Sequence, residues 1–122
     1  MMLEFLGQEF SICKLRSTEG LDVNRRFIFI GITDGEVSLV CPTVDVPSDT
    51  IERDDGWRMF RIVGQLDLSM IGVLSKITGI LAENDVGVFV VSTFNTDYVL
   101  VRKENVRHTK GCLSEMGYVW LD

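Results

Sequence analysis

The chain has 122 residues, 46% of them hydrophobic, with 18 acidic against 12 basic side chains and a net charge of −6. That length holds one ordinary domain or two small fused units, and the apolar content excludes a disordered chain. The acidic balance, with no basic stripe or run, excludes binding along a phosphate backbone, so no nucleic-acid partner is expected.

Met1 to Phe10 carries Glu4 and no basic segment, unlike a signal peptide. No apolar run approaches the roughly 20 residues that span a bilayer, so no membrane partner is expected. Cys13, Cys41 and Cys112 are odd in number, widely spaced and free of CxxC or metal-ligand spacing. They read as reduced thiols, some of them small core residues, in a cytoplasmic protein without metal or cofactor.

The first strand is expected over about Glu9 to Leu15. Arg16 to Arg26 is too short for a crossover helix, and Phe27 to Val40 reads as a hairpin with an Asp34-Gly35 turn of type I′ chemistry. Cys41 to Gly56, with Pro42, Pro47 and the charges of Glu52 to Asp55, reads as a linker.

Trp57 to Gly64 alternates as a strand. Over Ser69 to Asn84 the apolar residues Met70, Ile71, Val73, Leu74, Ile77, Ile80 and Leu81 fall on one broad helical face. Asp67 or Ser69 is the expected cap, and Asn84-Asp85 with Gly87 the exit. Val86 to Phe94, apolar on both faces, reads as a central strand, joined by a tight turn at Asn95-Thr96 to Tyr98 to Arg102. A weaker helix over Glu104 to Met116, ended by Gly117, leads to a last strand, Tyr118 to Leu121. The order β-α-β-β-α-β is the split βαβ pattern of ferredoxin-like α+β folds.

An internal repeat accompanies this order. Phe27 to Val40 aligns without a gap on Val88 to Val101, an offset of 61 residues. The first unit, residues 1–50, is a truncated copy lacking a second helix and a fourth strand. The second, residues 56–122, is complete.

The run from Gly56 through Ile77, followed by Ser92-Thr93-Phe94-Asn95-Thr96-Asp97, resembles ACT-like proteins with two tandem units. These are similar to the regulatory domains of aspartate kinase and to cytosolic arginine-sensing ACT proteins. The resemblance implies an amino-acid ligand held between two ACT units, by Leu68, Ser69, Ile71 and Gly72 at the start of the helix and by Thr93, Phe94, Asn95, Thr96 and Asp97 at the turn. A helix N-terminus suits a carboxylate and Asp97 suits an α-ammonium. The arginine sensors hold the guanidinium with acidic groups, and here the matching helix start carries Met70 instead, which argues against arginine.

No nucleotide, metalloprotease or catalytic-triad motif occurs, and His108 sits on a charged, solvated stretch. The expected function is therefore a non-catalytic, amino-acid-binding regulatory module, a sensor or a partner of an enzyme, and a homodimer. The alternative is a ligand-free adaptor that keeps the fold.

Overall fold

The computed structural model of the protein describes residues 1–64 and 71–121. Along the chain run β1 (Met2–Leu15), β2 (Phe29–Ile32), β3 (Val37–Pro42), β4 (Glu52–Ile62), α1 (Val73–Glu83), β5 (Phe89–Ser92), β6 (Asp97–Arg102), α2 (Val106–Glu115) and β7 (Val119–Trp120). Short 3-10 turns follow β3, at Thr43–Asp45, and β6, at Lys103–Asn105. The chain divides into two compact units: Met1–Gly7 with Arg58–Asp122, and Gln8–Trp57.

The larger unit has the expected βαββαβ order in β4-α1-β5-β6-α2-β7. Its hydrogen-bonded neighbours follow β7-β1-β4-β6-β5. The beginning of β1 thus enters a sheet that the sequence reading built from four strands. It pairs in parallel with β7 through Met2↔Val119 and Leu3↔Trp120, and on its other side the Val63 N–H donates to Met2 O at 2.9 Å.

The core of this unit gathers Leu3, Phe60, Ile62, Ile77, Leu81, Val99, Val101 and Leu113, all nearly inaccessible. Period-2 alternation sends Leu3, Phe60, Ile62, Val99 and Val101 to that side of their strands, and the apolar face of α1 supplies Ile77, Ile80 and Leu81. Phe5 stacks on Trp120 at 5.1 Å between ring centres, and Phe60 meets Trp120 edge-on at 5.3 Å. The Trp120 indole N–H donates to Lys110 O at 3.1 Å, so the ring has its polar edge satisfied.

α1 begins at Val73, later than the expected Ser69, and its N-cap is Gly72 at φ 79°. The proposed caps Asp67 and Ser69 lie outside the described residues. The exit follows expectation: Asp85 adopts φ 61° and the Val86 N–H returns to Leu81 O at 2.9 Å. α2 ends likewise, with Gly117 at φ 94° and Tyr118 N–H on Leu113 O at 3.1 Å.

In the smaller unit the order is β2-β3-β1-β4. β3 pairs antiparallel with β1 from Phe10↔Pro42 to Leu15↔Val37, and with β2 from Phe29↔Val40 to Ile32↔Val37. Residues 16–26 contain no helix, as their length predicts. The expected linker is a different matter, because Glu52 to Asp55 are the first residues of β4. They supply the fourth strand that this unit was expected to lack. Their side chains are exposed, so the segment carries no apolar alternation to betray a strand.

Cys13, Leu15, Leu39 and Cys41 form the buried cluster of the smaller unit. All three cysteines of the chain are free and buried. Burial pushes the Cys41 thiol up to about 12, with nearby Cys13 adding to the effect, and burial raises Cys13 as well.

The internal repeat is real in its elements but its offset is 60 residues, one less than the aligned sequences suggest. Phe29–Ile32 corresponds to Phe89–Ser92, Val37–Pro42 to Asp97–Arg102, and Thr43–Asp45 to Lys103–Asn105. The pairs Phe29↔Val40 and Phe89↔Leu100 carry the same spacing. Phe27 is therefore not the counterpart of Val88. The type I′ expectation also fails, since neither Asp34 nor Gly35 has the positive φ that turn needs. Both loops close instead by a threonine N–H, Thr33 on Glu36 O at 3.0 Å and Thr93 on Thr96 O at 2.9 Å.

Candidate functional site

Leu68 and Ser69 lie outside the described residues. Ile71 and Gly72 line a cavity of about 370 Å³ at the start of α1, together with Met1, Lys76, Met116 and Tyr118. Among the described residues no side chain caps α1, and its first turn holds no acid. The first N–H of the ladder is that of Lys76, donating to Gly72 O at 3.0 Å, so the preceding amides have no intrahelical acceptor. Donors and dipole at this end favour an anion, and the Lys76 ammonium adds a charge of the matching sign. Ile71 is 96% exposed, and with Met1 and Met116 it gives the cavity an apolar rim.

Gly72 serves this place through its backbone. Among the described residues no atom lies within 4 Å of where a Cβ would stand, so close helix–sheet packing does not explain the glycine. The left-handed φ does.

The turn residues lie elsewhere in the larger unit. Asn95 and Thr96 line a second cavity, of about 270 Å³, with Glu4, Arg61, Val63 and Tyr98. Thr93 closes the loop through both its N–H and its hydroxyl, which donates to Thr96 O at 3.1 Å. Phe94 is 75% exposed at the tip. Asp97 Oδ1 accepts from the Ser92 hydroxyl at 2.6 Å, which ties the carboxylate across the hairpin while leaving acceptor capacity. The structure thus brings Ile71 together with Gly72, and Asn95 together with Thr96, each pair in its own cavity.

Lys76, Glu4, Arg61 and Tyr98 were missed by sequence reasoning. A signal existed for three of them. Glu4, Arg61 and Tyr98 each neighbour core residues on their strands, so alternation places them on the opposite face. Their sequence separation hid the common location.

His108 is exposed and its Nε2 lies 3.0 Å from Asn84 O, with Cys112 Sγ at 3.7 Å. It joins the end of α1 to α2. Among the described residues no group of three His, Cys, Asp or Glu side chains could hold a metal ion, and no helix is long and apolar enough to cross a membrane.

Comparison with known proteins agrees with the fold. The mouse (Mus musculus) cytosolic arginine sensor for mTORC1 subunit 1 is 32% identical over 97 residues, covering 74% of this chain and 28% of that protein. The human (Homo sapiens) counterpart is 33% identical over 87 residues, 66% of this chain and 26% of that protein. The chain therefore spans less than a third of the length of these relatives. Among solved structures, an Agrobacterium tumefaciens protein superposes with a TM-score of 0.86 at 31% identity, covering 98% of this chain and 91% of that one. The ligand-free regulatory subunit of aspartate kinase from Thermus thermophilus superposes with a TM-score of 0.62 at 10% identity, covering 93% and 95%, a likeness of fold alone. The family model described as ACT domain matches residues 52–115, which contain the βαββα succession and both parts of the candidate site. On that match this chain belongs to the ACT domain family.

Proposed function

We propose that this protein is a regulatory module that binds a small amino acid and acts as a sensor, or in trans on a partner enzyme, without catalysing a reaction itself. The observation that carries the reading is the start of α1, which no described side chain caps and which lies with Lys76 at a cavity rimmed by Met1, Ile71 and Met116. A carboxylate suits the amides and the ammonium, and an apolar side chain suits the rim. Asp97, expected from the sequence to hold the α-ammonium, does not line this cavity, so the proposed ligand is anchored by the amides and Lys76. The family's regulatory members and the similarity to a protein named as an arginine sensor support this role. A cytoplasmic setting, with the three free thiols, and a homodimer belong to the same proposal.

Thermal shift against the twenty amino acids tests it. A ligand at 100 times its dissociation constant adds about 2.7 kcal/mol of stability. Calorimetry on Lys76→Met, expected to lose roughly 1.5–3 kcal/mol of binding, and on Asp97→Ala, expected to bind as the parent does, then locates the site at the start of α1. If no amino acid stabilises the protein, the sensor reading fails. The adaptor reading then takes its place, with exposed Ile71 and Phe94 as the contact residues.

A further inference from the structure

We propose that the Asp34-Gly35 bond, at the tip of the β2–β3 loop, is a self-modification site: it isomerises through a succinimide to isoaspartate and thereby loosens the edge strand β2. The chain holds two Asp-Gly bonds, Asp34-Gly35 and Asp55-Gly56, and glycine in second place leaves its amide nitrogen unshielded by any side chain. In the reaction the Gly35 nitrogen bonds to the side-chain carboxyl carbon of Asp34, and the amide proton leaves with the carboxyl hydroxyl as water. Water then opens the ring. Attack at the side-chain carbonyl restores aspartate, whereas attack at the former peptide carbonyl leaves the main chain running through the side chain. No oxidant and no second substrate enters, and the mass is unchanged at the end.

The fold separates the two bonds. Residues 31–36 are exposed, and the Asp34 side chain has no hydrogen bond or ion pair among the described residues. A Cβ at Gly35 would meet no atom of the described residues within 4 Å, so no packing opposes the backbone rotation that ring closure needs. The Thr33 hydroxyl restrains the loop, accepting from the Gly35 N–H at 3.2 Å and the Glu36 N–H at 3.1 Å. That motif is local and opens without breaking the sheet. Asp55 is the opposite case. It lies inside β4, accepts from the Ser11 hydroxyl at 2.6 Å and from Arg53 on both oxygens, and these donors hold its carboxyl below the ordinary value. The hydroxyl that must depart exists on the protonated acid alone, so strand and donors both withhold Asp55 from the reaction. Isoaspartate adds one main-chain carbon between Thr33 and Glu36, whose 3.0 Å N–H···O bond closes the loop. β2 has four residues, stands at the end of the strand order and finishes at Ile32↔Val37 beside that closure, so it is the element the extra atom frees. The matching loop, at the offset of 60, carries Phe94-Asn95 in these places, which confines the device to the smaller unit.

The test incubates the full chain at neutral pH and body temperature and reads its peptides by electron-transfer fragmentation, which separates isoaspartate from aspartate. Isoaspartate, with a succinimide one water lighter, should accumulate at residue 34 and stay absent at residue 55. The same chain held in urea should form it at both. Asp34→Glu, whose side chain would have to close a larger and slower ring, should lose the product at 34 with the fold unchanged. Once isoaspartate has formed, the amides of Phe29–Ile32 should exchange with solvent faster, and those of Asp97–Arg102 as before. The proposal is overturned if residue 34 stays unmodified in the folded protein, or if residue 55 keeps pace with it there. It is also overturned if β2 exchanges as before after the modification.

Discussion

Ser11 and Asp55, 44 residues apart, share a 2.6 Å hydrogen bond in which the fully buried serine hydroxyl donates to Oδ1. The Thr43 hydroxyl, 2.9 Å from Ser11 Oγ, completes the serine's partners, and Arg53 grips both oxygens of Asp55 at 3.1 Å. This network fixes the charged start of β4.

The hydrogen bond from Ser11, followed by that from Arg53, holds the Asp55 carboxyl below its ordinary value of 3.8. A depressed carboxylate contributes stability that is present above the unfolded value and lost as pH falls through the folded one. The urea midpoint should therefore drop as pH is lowered below about 4, and Asp55→Asn should remove part of that dependence. Ser11→Ala removes the first of the two donors. It should lower the midpoint at neutral pH and make the acid decline of stability smaller, because the folded carboxyl then lies closer to its ordinary value.

Alkaline pH probes Cys41. Its thiol is raised from 9.0 to about 12, chiefly by burial. The folded protein keeps this proton where the unfolded chain releases it, so the contribution is full below pH 9.0 and declines between there and about 12. Thermal melts over that window should fall steadily, and Cys41→Ala should flatten the decline.

The aromatic cluster of the larger unit predicts a large effect at Phe60. It is fully buried and meets Phe5 and Trp120 edge-on, at 5.3 Å in each case. Phe60→Ala should cost about 3–5 kcal/mol, measured by denaturant unfolding with the slope unchanged.

Two glycines separate backbone from space. A methyl group at Gly72 or at Gly79 would meet no atom of the described residues within 4 Å, so neither substitution by alanine clashes with them. Gly72→Ala must still adopt φ 79° and should destabilise by about 1 kcal/mol. Gly79→Ala lies inside α1 and should stabilise by roughly the same amount. Equal effects of the same sign in chemical denaturation would show that the conformation of Gly72 in solution differs from this one.

The sequence by itself determined the local elements. Helical periodicity marked α1 and α2, and the exits at Asp85 and Gly117 were legible because they depend on residues within a turn of each other. Both hairpins were visible for the same reason, and so was the family. The register of the repeat was not. Leu39 to Cys41 and Val99 to Val101 are buried on both faces, so sliding the alignment by one residue exchanges one apolar residue for another without penalty. Only strand pairing and loop closure settle an offset of 60. Tertiary structure also decided that Met2 to Gly7 joins the larger unit and that charged Glu52 to Asp55 form a strand, because both depend on backbone partners supplied from far along the chain. It likewise gave Ile71–Gly72 and Asn95–Thr96 separate cavities, and brought Glu4 to Arg61 across 57 residues. Side chains distant in sequence meet only when strand order and pleat place them on one face, which no local pattern encodes.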